Sequence, residues 1–555
     1  MGQSLQAVTS PWTFAERREA AMTVLERKWS TLHYELAQSG GKIKHKYWKR
    51  QFTTRTLASV AALMLLSVTC LAGAYVLWFT ATVNNIVDSV LTYREGDMYY
   101  MDWRYPQYTP YTRVYIYNYT NTEEFLRGDA KKLKVEEIGP YMYREKLEKV
   151  NVTFHGDGDT VSYREKRLFT FVPEESVGTE EDVFVVPNVP LLTGISLVRD
   201  KGFAAQLALR SAIWALDVDK GAFETLRVSE YLFGYNDKLY DAAQGALDMI
   251  GTKLPRLGML TSRSGVNAHE YTIQTGTRNH SEIDVVVALD GKPDLGAWAE
   301  PECNRIDGAI GAIYQGPLWA RERLHLYHVD LCRRINLDFQ EERLAMGVLP
   351  AYRYTPPADF LHNARDNPEN ACFTPRYFGE WPSGVFPNAP CFENAPVFVS
   401  FPRFYQGDPK LRQMVEGVGE PEKDKHQLYL DLHPQLGLNL GCAVRIQANM
   451  MVRKAPLVGN YLDAFEDGTI LPNMWFESII DQYDPWTFRR TWHATFTLRW
   501  CETGFKYALP LLAALFGVLA TRRMRRCVDR GEELCTANKT EVELQQLQQP
   551  LTTVR

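Results

Sequence analysis

Charge disappears from the chain twice. No charged residue lies between Thr56 and Val87, and the 23 residues from Leu57 to Phe79 are almost wholly apolar. At 1.5 Å per residue such a run crosses a hydrocarbon core of roughly 30 Å with some tilt. Tyr75 and Trp78 at its far end suit a membrane–water interface. The second run, Gly504 to Thr521, carries one cation, Lys506, near its start, where a long side chain reaches the interface. Pro510 falls in the first turns of that run, where a helix tolerates it best. Between the runs the pattern turns to short periods. Tyr111 to Tyr117 alternates and predicts a strand. Asn151 to Phe154 and Thr160 to Tyr163, flanking the polar stretch His155 to Asp159, predict a hairpin. Ile283 to Leu289, Val397 to Phe401 and Cys442 to Val452 also read as strands. Helical recurrence is clearest over 197–216, where Phe203, Leu207, Arg210 and Trp214 fall at helical spacing, and over 229–249. With no internal repeat and no long linker, the pattern predicts one large α+β domain held between two spans.

Charge beside the apolar runs sets an orientation. Lys42, Lys44, Lys46, Lys49, Arg50 and Arg55 precede the first, and Arg522, Arg523, Arg525 and Arg526 follow the second. The excess of cations on the cytosolic side of membranes puts both flanks inside. The predicted layout is a cytosolic segment 1–56, a span 57–83, an extracytoplasmic domain 84–503, a span 504–521 and a cytosolic tail 522–555. A cleaved signal peptide fits less well, because its basic region would start over 40 residues into the chain. Three sequons, at Asn118, Asn151 and Asn279, fall in the extracytoplasmic part and are candidate glycosylation sites; a fourth, at Asn538, falls on the cytosolic side. Five cysteines lie in the same part: Cys303, Cys332, Cys372, Cys391 and Cys442. An oxidising compartment pairs some of them and leaves at least one free. Four paired cysteines allow three connectivities, and spacing alone does not choose.

Composition then narrows the function classes. A net charge of -5 over 555 residues gives no pull toward nucleic acid. Aromatics at 12% exclude bulk disorder. No nucleophile elbow, zinc-protease motif or phosphate loop is present. His325 and His328 are three apart in a stretch that alternates like a strand, so they face opposite ways and read as structural rather than as a metal pair. The Asp157/Asp159 pair lacks the ligand run of a calcium loop. No catalytic residue, metal ligand or cofactor is assigned, and a binding role is expected rather than an enzyme.

Two segments carry a family likeness. Asn118-Tyr119-Thr120-Asn121-Thr122-Glu123-Glu124-Phe125-Leu126-Arg127-Gly128 is followed by Glu137-Ile138-Gly139-Pro140-Tyr141-Met142-Tyr143-Arg144-Glu145. Val186 to Pro190, Glu230 to Asp237, Trp298 with Cys303-Asn304, Ala351 to Tyr354, Phe401 to Tyr405, Asp431 to Gly437 and Arg445 to Asn449 come after them in order. Together they resemble the class B scavenger receptor family. The resemblance implies a large antiparallel β-barrel-like domain with an apolar tunnel, a helical bundle at its apex, and two transmembrane anchors. It also implies partners: lipids (fatty acids, sterols, lipoproteins) passed through the tunnel to the bilayer, or, as the alternative, a soluble lysosomal protein carried by a lysosomal membrane protein. Plasma membrane and endosome or lysosome are the matching locations, and self-association is a further option. Tunnel-lining residues carry no transferable motif. The family's bridges imply pairs Cys303–Cys372 and Cys332–Cys391, leaving Cys442 a buried thiol. The chain departs from the family pattern at Ile306 to Gly311, at Arg403 and at Phe233, and its N-terminal segment is longer. In that segment Met22, Leu25, Trp29, Leu32 and Leu36 predict a helix able to lie on an anionic leaflet. Cys527, beside Arg525 and Arg526, is a palmitoylation candidate.

Overall fold

The computed structural model describes residues 54–547 apart from 218–220, 250, 252 and 481–483; for Arg376 and residues 530–547 it describes the backbone alone. The helix expected around Met22 to Leu36 lies outside the described residues. The chain divides into a large unit, 84–497, and a smaller unit holding the two apolar helices.

The large unit is built on strands rich in β-branched and aromatic residues, which suit a pleated, half-buried surface. They are β1 (Tyr111–Tyr119), β2 (Val135–His155), β3 (Thr160–Phe171), β4 (Val183–Pro187), β5 (Phe223–Arg227), β6 (Gly265–Val266), β7 (Tyr271–Gln274) and β8 (Val286–Leu289). The second half adds β9 (Leu324–His328), β10 (Arg333–Ala345), β11 (Leu349–Thr355), β12 (Phe386–Pro387), β13 (Val397–Ser400), β14 (Tyr429–Leu432), β15 (Asn439–Met451) and β16 (Ile470–Ile480). Eleven run in the order β8-β7-β3-β2-β1-β16-β15-β14-β11-β10-β9, all antiparallel; β6 joins β3, β12–β13 join β15, and β4–β5 form a separate ribbon. The two edges, β8 and β9, meet across the short segment at Ala309. Val286 N–H donates to the Gly308 carbonyl at 3.0 Å, Ala309 N–H to the His325 carbonyl at 2.9 Å, and Tyr327 N–H to the Ala309 carbonyl at 2.9 Å. A sheet that nearly closes satisfies edge groups that would otherwise template aggregation. The closing residues belong to Ile306 to Gly311, the stretch that departs from the family pattern.

The predicted helices are each broken. Residues 197–216 were expected as one helix; instead α1 (Val189–Arg199) ends and α2 (Phe203–Ala215) begins after Asp200-Lys201-Gly202, where Gly202 has φ +86°. Residues 229–249 form α3 (Val228–Phe233) and α4 (Lys238–Asp248), the second started by Asp237, whose side chain accepts from Leu239 and Tyr240 N–H at 3.0 Å each. Each break is three or four residues, about one helical turn, so the apolar phase carries across it and the periodicity does not reveal it. The strand expected over 283–289 starts only at Val286, because Asp284 takes φ +67°. Leu191, Leu192 and Ile195 of α1 pack with Tyr117, Tyr119, Phe465 and Trp475, which docks the helices on the sheet.

In the smaller unit the first helix is Thr54–Phe79; a separate helix, Thr82–Val90, follows it and runs across the boundary between the units at Val83. The second helix, Leu498–Leu547, extends well past both ends of the predicted span and places Pro510 in its interior rather than in its first turns. Both are long and apolar enough to cross a membrane. Small residues let them approach: Gly73 faces Leu509, and Ala74, Ala513 and Ala520 are buried. Ser67 Oγ donates to the Ala513 carbonyl at 2.8 Å, and Trp78 Nε1 to the Lys506 carbonyl at 2.9 Å.

Candidate functional site

The motif residues mostly hold the frame. Gln447 and Asn449 are fully buried on β15. Gln447 Oε1 accepts from Tyr117 Oη at 3.1 Å and from Arg403 N–H at 2.8 Å, while Asn449 Nδ2 donates to Ser400 Oγ at 3.0 Å. Arg403 grips Glu137 with two hydrogen bonds of 2.8 and 2.9 Å. It therefore ties the β13 turn to the Glu137-to-Glu145 segment on β2. Phe233 packs edge-on against Tyr143 at 5.2 Å. Cys303 is bonded to Cys372 and Cys332 to Cys391, and Cys442 is a buried free thiol that burial pushes up to about 11. His325 Nδ1 meets Asn336 Oδ1 at 3.0 Å, and no group of three metal-ligating side chains occurs among the described residues. Asn151 and Asn279 are exposed, whereas Asn118 is half-buried in β1 with its Oδ1 accepting from Val185 N–H at 2.9 Å.

Two features remain that frame-building does not absorb. The first is the outer face of α2. Gln206 and Ile213 turn inward; Gln206 Nε2 donates to the Arg199 carbonyl and its Oε1 accepts from Leu457 N–H. Lys238 Nζ donates to the Leu216 and Asp217 carbonyls at 3.3 and 3.4 Å, satisfying the end of the helix. Below, buried Arg453 bonds Ser196, Asp200 and the Tyr377 carbonyl, so α1 and the start of α2 are fixed to the sheet. With the inner side committed, Phe203 (67% exposed), Leu207 and Trp214 (84% exposed) project outward, with Arg210 beside them and no acidic residue on the helix. The spacing of these residues was visible in the sequence; their direction was not, since an apolar stripe at this spacing usually faces a core.

The second feature is a group of charged side chains packed on the sheet. Arg263 stacks on Phe476 of β16 at 4.7 Å and lies 3.8 Å from Asp330, which follows β9. Those strands are far apart in the order, so this side chain links distant parts of the sheet. Lys149 of β2 stands opposite Glu165 of β3, Arg167 pairs with Glu165 at 2.7 Å, and Glu145 accepts from Thr112 and Ser478 with Arg167 at 3.5 Å. Burial opposes the charge on Glu165, but Arg167 and Lys149 outweigh it and hold the carboxyl below its usual range. Burial pushes the Lys149 ammonium and the His328 imidazole down. Leu337, Tyr354, Leu430, Val444 and Ile446, on other strands of the sheet, belong to one apolar cluster. The signal for the charged group was present in Arg164-Glu165-Lys166-Arg167, a strand polar on both faces.

Comparison with known proteins follows this geometry. The CD36 family model matches residues 61–524. Scavenger receptor class B member 1 of Rattus norvegicus is 33% identical over 66% of this chain and 70% of its own. Lysosome membrane protein 2 of Homo sapiens is 30% identical over 85% of this chain and 94% of its own.

Proposed function

The chain belongs to the CD36 family, and from that premise we propose that it is a membrane receptor for lipid rather than an enzyme. In this reading the outer face of α2 docks on lipid or a lipid particle. A space within the sheet then passes an amphiphile toward the bilayer. The observation that carries the reading is the exposure of Phe203, Leu207 and Trp214 on a helix with no acidic residue. Burying each such side chain in lipid is worth about 1.5–3 kcal/mol, and each acyl CH₂ about 0.8 kcal/mol, so binding requires no catalytic group. The test is lipoprotein binding and delivery of a labelled cholesteryl ester to cells expressing Phe203→Ser/Trp214→Ser. Both side chains are exposed, so the thermal midpoint should hold while binding falls at least about tenfold. Undiminished binding would overturn the reading.

The longer match to a lysosome membrane protein supports a second reading, in which the same helix face carries a soluble lysosomal protein. Steady-state location separates the two: surface residence favours lipid uptake, and lysosomal residence favours the carrier.

A further inference from the structure

Among the described side chains of the large unit three arginines are buried, and two have a carboxylate. Arg445 pairs with Glu477 at 2.9 Å and Arg453 with Asp200 at 2.6 Å. Arg333, 5% exposed, has none among the described residues. Its guanidinium carbon lies 4.1, 4.3 and 4.6 Å from the ring centres of Phe373, Phe360 and Phe386. Nη2 donates to Asn370 Oδ1 at 3.0 Å, while Nε and Nη1 have no hydrogen-bond partner among the described residues. Burial pushes this group down to about 9, with Arg334 acting in the same direction and Glu369 opposing it. A buried charge without a counter-ion is costly, so the surroundings matter.

Arg333 lines a cleft of about 100 Å³ between β10 and residues 357–370. Buried Arg333 and Asn370 form its floor. Exposed Asp359, Glu369 and Arg323 form its rim. Arg323 is spent on Asp338, with two hydrogen bonds of 2.7 and 3.0 Å. Asp359 and Glu369 are in no ion pair among the described residues. The cleft thus presents inside a cation that no carboxylate hydrogen-bonds among the described residues, with Glu369 acting on it only through space, and outside two carboxylates in no ion pair. A simple anion meets the rim's repulsion, and a simple cation meets the floor's. A molecule with an acid at one end and an ammonium at the other satisfies both, and the volume admits only a few heavy atoms.

We propose that this cleft binds a small zwitterion of the amino-acid type, its acid group on the Arg333 side and its ammonium at Asp359 and Glu369. This site is independent of the lipid reading. The test is ligand-observed saturation-transfer NMR on the full chain in a sugar-headed detergent, with glycine, β-alanine and 4-aminobutyrate against acetate and ethylammonium. At least one zwitterion should bind saturably and at least about tenfold tighter than either half-molecule. Because Arg333 packs on three rings, its variants risk misfolding, so the decisive variant is exposed. Asp359→Asn/Glu369→Gln should keep the thermal midpoint and abolish the preference for the zwitterion over acetate. No saturable binding, or a preference that survives the double variant, would overturn the proposal.

Discussion

Asp284 sits at the point where the sheet closes, with no water-facing surface. Its Oδ1 accepts from Tyr93 Oη at 2.9 Å and its Oδ2 from Ala312 N–H at 2.9 Å. Burial raises its carboxyl to about 7; the hydrogen bonds and Lys149 pull the other way but lose. An unfolded aspartate titrates near 3.9. The stability this raised group contributes is therefore fully present below about pH 3.9 and is lost as pH rises through about 7. Asp284→Asn removes this titrating group. Thermal unfolding from pH 4.5 to 8 should show the parent losing stability relative to the variant as pH rises, by at most about 1.4 kcal/mol per pH unit; parallel curves would contradict this. The sequons differ at the same scale. Asn151 and Asn279 are exposed, with Asn279 bonding its neighbours Ser281 and Glu282, while Asn118 holds β4. We expect Asn151→Gln and Asn279→Gln each to lower the glycosylated mass by one glycan and Asn118→Gln to leave it unchanged, as read by gel shift with and without glycosidase.

At the scale of elements the closing segment is the most exacting. Gly308 has φ +115°, and a Cβ there would meet the His325 carbonyl and Tyr327 nitrogen at 3.0–3.1 Å, all backbone that does not yield. Gly308→Val should cost about 1–3 kcal/mol in backbone strain alone and reduce the amount of folded protein reaching the glycan-processed form. Gly291→Ala, in open space though also at positive φ, serves as the comparison. Strands were legible because alternation of period two is local: β1, β13 and β15 lie within a few residues of their sequence positions. Helix breaks at Asp200–Gly202 and Gly234–Asp237 were not, because a gap of one turn preserves the apolar phase.

For the whole molecule, the two terminal helices and the cations beyond them predict a hairpin in the membrane. Protease added outside intact cells should spare epitope tags at both ends and cut within 84–497; loss of either tag would reverse that end.

What the sequence determined by itself is what rests on composition and local period: two runs apolar enough to span, a strand-rich segment between them, and the ordered motifs that mark the family. Which way a side chain points was left to tertiary structure. Phe203, Leu207 and Trp214 have the spacing of a core stripe, yet the inner side of α2 is claimed by Gln206, Ile213 and the α1 helix beneath, so the stripe faces out. Arg333 reads as one more strand cation, yet closure of the loop at residues 357–370 buries it with no ion-pair partner among the described residues. Ala309 carries no signal, yet it joins strands that the chain order places at opposite edges. Each depends on residues far away in the chain coming together, and no window along the sequence contains them both.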